Sequence, residues 1–210
     1  MSPTSLPQAL ADEAAALQRH VGFTSEAWKR TTLTHLLILG LFGVFLPWQK
    51  GVGFLDPVIL GAYACFGVVF AGPAASQPFD GSEPSANRAL ARILVCVLYG
   101  EVLVLGLLFT AVAAVYITRR VYVGPDLQSL ATCLLFGLAL SLAASTIAVW
   151  MSVKYSPFAA RGLIRLVFLV LLLGFFFRPR QLPRVAPMGA GIALAVATVA
   201  YLRLRESLTK

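Results

Sequence analysis

The sequence predicts an all-α, polytopic integral membrane protein, in which six transmembrane helices follow an N-terminal amphipathic helix at the membrane interface. Three observations carry this prediction. Of the 210 residues, 59% are hydrophobic and only 12% are charged, whereas a soluble domain carries about 25% charged residues. The apolar residues form runs close to the roughly 20 residues that cross a bilayer. Lys and Arg residues stand mainly at the ends of these runs, as they do at membrane borders.

Residues 1–30 are predicted to be an interfacial helix region, and residues 31–210 to be the six-helix transmembrane domain. Within 5–22, apolar side chains recur at spacings of four and seven and therefore share one helical face. These side chains are Leu6, Leu10, Leu17 and Val21. Such a helix lies along a membrane surface; packing against another subunit is an alternative that the same pattern allows.

Six apolar runs follow, separated by residues that favour turns or carry charge. The predicted spans are 31–48, 55–75, 88–118, 127–152, 160–177 and 185–204. The third run is longer than the roughly 20 residues that a crossing needs. It is therefore either one strongly tilted helix or an interfacial helix followed by a span.

An even number of spans places both termini on the same side of the membrane. In this arrangement eleven of the 17 Lys and Arg residues fall on that side, and an excess of these residues marks the cytoplasmic face. The sequence therefore predicts a protein of the cell (inner) membrane with both termini cytoplasmic. On the opposite side, Arg178, Arg180 and Arg184 are candidates for binding anionic headgroups or an acidic cargo. The alternative is that these arginines stand at the membrane border, with their aliphatic stems along apolar surface and their guanidinium groups in water, and need no ligand.

The sequence lacks the motifs of membrane enzymes and cofactor sites. It contains no GxxxxGK[ST] phosphate loop, no HExxH pair and no Gly-x-Ser-x-Gly elbow. Cys65, Cys96 and Cys133 each stand alone in an apolar run, so neither a metal site nor a disulfide framework is predicted. Nucleic acid is excluded as a partner, because the basic residues form no patch with interleaved aromatics. An intramembrane transferase or hydrolase is thus the least favoured class, and the chain is predicted not to be an enzyme.

Glu101, within the segment CVLYGEVLVLG (96–106), is the only acidic residue well inside an apolar run. Insertion scales give a central charge a cost of about 2.5–3.5 kcal/mol, so the carboxyl must be paired or protonated. Three roles stay open for it. In the first it forms a structural ion pair, with Arg88 or Arg92 as the candidate cation. In the second it is a substrate-binding or gating group, and in the third it is a protonated acid that faces lipid.

This layout resembles the permease of the type-two ABC exporters, whose ATPase is a separate chain. The resemblance covers nearly the whole chain: an amphipathic helix, six spans and a longer polar connection after the second span. The segments VVFAGPAASQPFDG (68–81) and SANRALARILVCVLYGEVLVLGLL (85–108) occupy the positions of the family's most recognisable region. Here GPAASQPF replaces the family's cluster of basic and acidic residues, and Glu101 stands where the family commonly has lysine.

The resemblance implies a permease subunit that moves an unidentified substrate while an ABC-type ATPase partner hydrolyses ATP. It also implies a second permease copy or paralogue, contacts with membrane lipids, and no cofactor. The residues it implies for coupling to the ATPase are Phe79, Asp80, Glu83, Asn87, Arg88 and Arg92. The alternative is a non-catalytic membrane subunit of a larger complex, which the scarcity of polar chemistry fits equally well.

Overall fold

The described parts of the chain are helical apart from short connections, and they contain no strand. The computed structural model describes residues 5–21, 33–50, 57–79, 84–119, 127–177 and 182–208. The predicted all-α class is confirmed for these residues. Helices satisfy every backbone N–H and C=O within one segment, which is what a segment surrounded by lipid requires.

The helices are numbered here in chain order within the described ranges. They are α1 Leu6–Val21, α2 33–50, α3 Pro57–Ala75, α4 Ala86–Arg119, α5 Leu127–Lys154, α6 Pro157–Phe177 and α7 Leu182–Leu208. Helix α2 widens into a π-helix over Leu39–Phe45 and returns to α-helix over Leu46–Lys50. Helices α3 and α6 both begin at proline, which suits the first helical position because its missing N–H is not needed there.

Within the described residues four helices are long and apolar enough to cross a membrane, as in a helical membrane protein. The qualifying segments are Ala86–Thr118, Leu130–Lys154, Pro157–Gly174 and Ala186–Leu208. Two shorter apolar segments, Leu33–Gln49 and Leu60–Ala75, lie within α2 and α3. The membrane class is confirmed in this form, whereas the count of six spans and the interfacial position of α1 stay predictions.

The long apolar run that begins near Arg88 forms one continuous helix, α4, rather than an interfacial helix followed by a span. Helix α4 has 34 residues and is therefore about 50 Å long, against about 30 Å for the hydrocarbon core of a bilayer. Glu101 lies about 23 Å from its start. Glu101 therefore lies near the middle of the helix and not near its first turn.

Helix α3 lies at the centre of the bundle, packed against α4, α5 and α6. Nearly every side chain from Leu60 to Ala75 is buried. Helices α3 and α5 run parallel, because residue numbers at their contacts increase together along both helices. The paired positions are Leu60 with Cys133, Gly67 with Ser141, and Ser76 with Ser152. Helix α4 runs antiparallel to α3, so the polar groups of α3, α4 and α5 can meet at one depth.

Candidate functional site

A first polar cluster lies where α1 meets the start of α4. The carboxylate of Glu13 accepts a hydrogen bond from Arg88 Nε at 3.1 Å and another from Arg92 Nε at 2.7 Å. The Glu13 side chain is 2% exposed and that of Arg92 6%, whereas that of Arg88 is 18% exposed. One buried carboxylate thus bridges two arginines, and Arg88 is the more accessible of the two.

The segment after α3 completes this cluster. The Phe79 ring centre lies 3.6 Å from the guanidinium carbon of Arg92 and 5.6 Å from that of Arg88, within cation–π distance. Arg92 also donates a hydrogen bond from Nη1 to the Gln77 carbonyl. Three separate segments therefore meet at Arg92. We name these five residues, Glu13, Gln77, Phe79, Arg88 and Arg92, the α1–α4 cluster.

The local sequence explains why both arginines point toward α1. Ser85 precedes α4, and its Oγ accepts a hydrogen bond from the Arg88 backbone N–H at 3.3 Å, as a helix-capping serine does. This cap sets the start of α4 at Ala86. Arg88 and Arg92 are then one turn apart, and residues at this spacing share a helical face.

A cavity of about 160 Å³ opens beside the α1–α4 cluster. Its lining consists of Glu13, Ala16, Leu17, Ala74, Gln77, Pro78, Arg92, Val95 and Cys96. The two charged side chains of this lining already bind each other. A pocket for a drug-sized ligand occupies roughly 300–1,000 Å³, so this cavity has room for a few water molecules and not for a bulky substrate.

The structure brings together three of the residues predicted for ATPase coupling: Phe79, Arg88 and Arg92. Asn87 lies in the first turn of α4, whereas Asp80 and Glu83 lie outside the described residues. The carboxylate that joins the two arginines, that of Glu13, is not among the residues predicted from the sequence.

The missed residue, Glu13, nevertheless has a signal in the sequence. It falls three residues after Leu10 and four before Leu17. It therefore shares the apolar face of α1 rather than the polar one. An acid at such a position needs a buried partner.

A second polar cluster lies halfway along α4. Ser141 of α5 donates a hydrogen bond from Oγ to Oε1 of Glu101 at 3.0 Å. Within the described residues this is the only hydrogen bond of the Glu101 carboxyl, and no cationic side chain pairs with it. The candidate pairing with Arg88 or Arg92 is not formed there, because both arginines bind Glu13 more than two helical turns away.

Glycine at position 67 makes room for this contact. A Cβ on Gly67 would lie 2.2 Å from Ser141 Oγ and 3.6 Å from Glu101 Oε1. The first distance is shorter than any real Cβ contact, so a larger residue in α3 would displace the serine hydroxyl. The close approach of α3 and α5 therefore allows the hydroxyl to reach the carboxyl across the helix interface.

Ser145 extends the polar region along α5. It lies one turn beyond Ser141, so the two side chains share a face. Ser145 is fully buried, and its hydroxyl has no hydrogen-bond partner within the described part of the chain. A buried hydroxyl without a partner costs roughly 1–3 kcal/mol. We name Glu101, Ser141 and Ser145 together the Glu101 site.

The arginines predicted to bind headgroups or cargo are not placed by the structure. Arg178 and Arg180 lie outside the described residues, and Arg184 is described only as a backbone position in the first turn of α7. Their role stays a prediction.

Comparison of the chain with protein-family profiles, with curated proteins and with solved structures finds no match. The functional argument therefore rests on the residues of the two polar clusters.

Proposed function

We propose that this chain is the membrane-spanning permease subunit of an ATP-driven exporter of the type-two ABC class. In this proposal helices α2–α7 cross the cell (inner) membrane, both termini lie in the cytoplasm, and a second permease copy or paralogue completes the transport unit. ATP is hydrolysed by a separate ABC-type subunit, because this sequence has no phosphate-binding loop of its own. The observation that carries the proposal is the α1–α4 cluster.

In this proposal α1 lies outside the membrane, and the α1–α4 cluster connects it firmly to the long apolar helix α4. Removing one partner from a buried ion pair costs about 3–5 kcal/mol, so α1 and the start of α4 move as a unit. Displacement of α1, or of the segment around Phe79, is thereby passed to α4. This is the mechanical link that an ATPase needs if it is to rearrange helices it does not touch.

Arg88 is the residue of this cluster best suited to report on a partner. It is the most exposed of the charged members, at 18% against 6% for Arg92 and 2% for Glu13. Its side chain is therefore the one among the three that a partner chain reaches most readily. Arg203 provides a matched control, because it forms an ion pair with Glu206 near the end of α7 in which both side chains are largely exposed.

The first experiment is affinity purification of the tagged full-length chain in mild detergent, with partners identified by mass spectrometry. A P-loop ATPase in stoichiometric amount is the expected result. Redox or structural membrane subunits in its place would overturn the proposal and favour a non-catalytic subunit of a larger complex.

The second experiment measures ATP hydrolysis by the purified complex in liposomes. Arg88→Glu should remove the dependence of hydrolysis on the permease, because it places a second carboxylate beside Glu13 at the contact surface. Arg203→Glu should leave this dependence unchanged. Equal behaviour of the two variants would count against the α1–α4 cluster as the coupling surface.

A further inference from the structure

We infer that the Glu101 site binds a proton where α3, α4 and α5 meet, with Glu101 as the proton-binding group and Ser141 as the residue that positions it. The inference uses only the packing of α3, α4 and α5. It therefore stands or falls independently of the proposed exporter function.

The surroundings of Glu101 leave little else to neutralise its charge, because the titratable group near it on α5 is the thiol of Cys133, which carries no positive charge. Val97 and Val104, one turn to either side, are buried, whereas Leu98 and Val102 are more than half exposed on the outer face. Glu101 lies at the border between these two faces. An ionised carboxylate has about four lone-pair sites to satisfy, and the described residues offer it one hydroxyl. Protonation removes the charge and most of this demand.

The hydrogen bond from Ser141 holds the carboxyl in place and is compatible with a protonated group, although a hydroxyl donates equally well to an ionised carboxylate, so the burial of Glu101 and not this bond favours the proton. Ser141 donates to Oε1, and a protonated carboxyl keeps one oxygen as an acceptor while the other carries the hydrogen. Oε1 is then the acceptor oxygen and Oε2 carries the proton. Because Gly67 leaves space for the serine hydroxyl, the contact is built into the interface between α3 and α5.

Ser145 is the second, independent observation. Its fully buried hydroxyl lies one turn from Ser141 and has no partner in the described structure. A second buried polar group one turn from Ser141 shows that this part of the helix interface is short of hydrogen-bond partners.

The ligand is a proton rather than a metal cation, because the site offers too few oxygen atoms to coordinate a metal. Calcium takes about six to eight oxygen ligands and magnesium a complete octahedron. The described residues supply one carboxyl group and two hydroxyls, Ser141 and Ser145. A proton needs only the carboxyl.

The test is modification of the full-length protein, in liposomes, by dicyclohexylcarbodiimide. This lipid-soluble reagent reacts with protonated carboxyl groups to give a stable N-acylurea, which mass spectrometry locates. Glu101 should be modified at neutral pH, and its yield should fall about tenfold per pH unit once the pH exceeds the titration of the site. Glu206, exposed and ion-paired, is the internal control and should stay unmodified. Modification of Glu101 no greater than that of Glu206, or independent of pH, would overturn the inference.

A second measurement detects the proton without any reagent. The thermal unfolding of the wild type and of Glu101→Gln, a neutral variant of similar shape, is followed in detergent across a pH series. A proton that is held in the folded chain and released on unfolding makes the wild type lose stability, relative to Glu101→Gln, as the pH rises. A difference that is flat or increases with pH contradicts the inference. So does a Glu101→Gln variant that fails to fold while Glu101→Asp folds.

Discussion

Replacing Gly67 with alanine should destabilise the bundle by about 2 kcal/mol and separate Ser141 from Glu101. The added methyl group would lie 2.2 Å from Ser141 Oγ, so the serine must rotate away. Losing its hydrogen bond costs about 0.5–1.5 kcal/mol, and overpacking a well-filled interface costs about 1–3 kcal/mol. The higher helix propensity of alanine returns up to about 1 kcal/mol.

Gly106→Ala is the matched control for this substitution. Gly106 lies on α4, and no atom lies within 4 Å of the position that its Cβ would occupy. The same chemical change should therefore stabilise the protein by up to about 1 kcal/mol through helix propensity alone. The assay is the free energy of unfolding in mixed micelles, measured by titration with sodium dodecyl sulfate and followed by circular dichroism.

The double variant with Ser141→Gly decides whether the clash is the cause. Without the serine oxygen, the Gly67→Ala methyl group no longer meets it, so most of the cost should disappear. The two substitutions should show a coupling energy of about 1–2 kcal/mol, as residues in contact do. If Gly67→Ala is as harmless as Gly106→Ala, or costs as much beside Ser141→Gly as alone, this account of the interface is refuted.

Two further substitutions test other contacts in the same unfolding assay. Glu13→Gln should lower the free energy of unfolding by about 3 kcal/mol or more, since it leaves the buried guanidinium of Arg92 without its anionic partner. The control, Glu206→Gln in an exposed ion pair, should cost less than about 1 kcal/mol. Equal costs would show that burial of the ion pair does not matter here. Tyr63→Phe should cost about 1 kcal/mol, because the Tyr63 hydroxyl donates to the Phe42 carbonyl within the π-helix at 2.6 Å; an unchanged free energy would mean that another group satisfies this carbonyl.

The fold class follows from composition, but the course of individual helices does not. Apolar runs with so few charges leave helices as the natural solution, because unpaired backbone groups are too costly in lipid. The length of the run near Arg88 is compatible with one helix or with two. The run contains no proline that would interrupt it, and the structure shows a single helix. The π-helix over Leu39–Phe45 has no signature in its apolar sequence. One of its carbonyls, that of Phe42, accepts a hydrogen bond from Tyr63 of α3, a contact that the local sequence does not reveal.

The candidate site was predictable only in part. The resemblance implied Phe79, Arg88 and Arg92, and the structure brings these three side chains together, whereas their role in coupling stays a prediction. Ser141 could not be found in this way, because a hydroxyl gives no charge signal and lies 40 residues from Glu101. Its role depends on the parallel packing of α3 against α5, which a single sequence does not encode in any local pattern.

The two polar clusters lie on one continuous helix, α4, which raises the question of whether they act on each other. Arg92 and Glu101 are separated by about 13 Å along α4, and no described hydrogen bond links them. Substitutions at that distance usually add in free energy to within about 0.3–0.5 kcal/mol. We therefore expect Glu13→Gln combined with Glu101→Gln to cost the sum of the single variants in the unfolding assay. A larger deviation would mean that the tilt or bend of α4 differs between the variants. The α1–α4 cluster would then influence the Glu101 site through the helix itself.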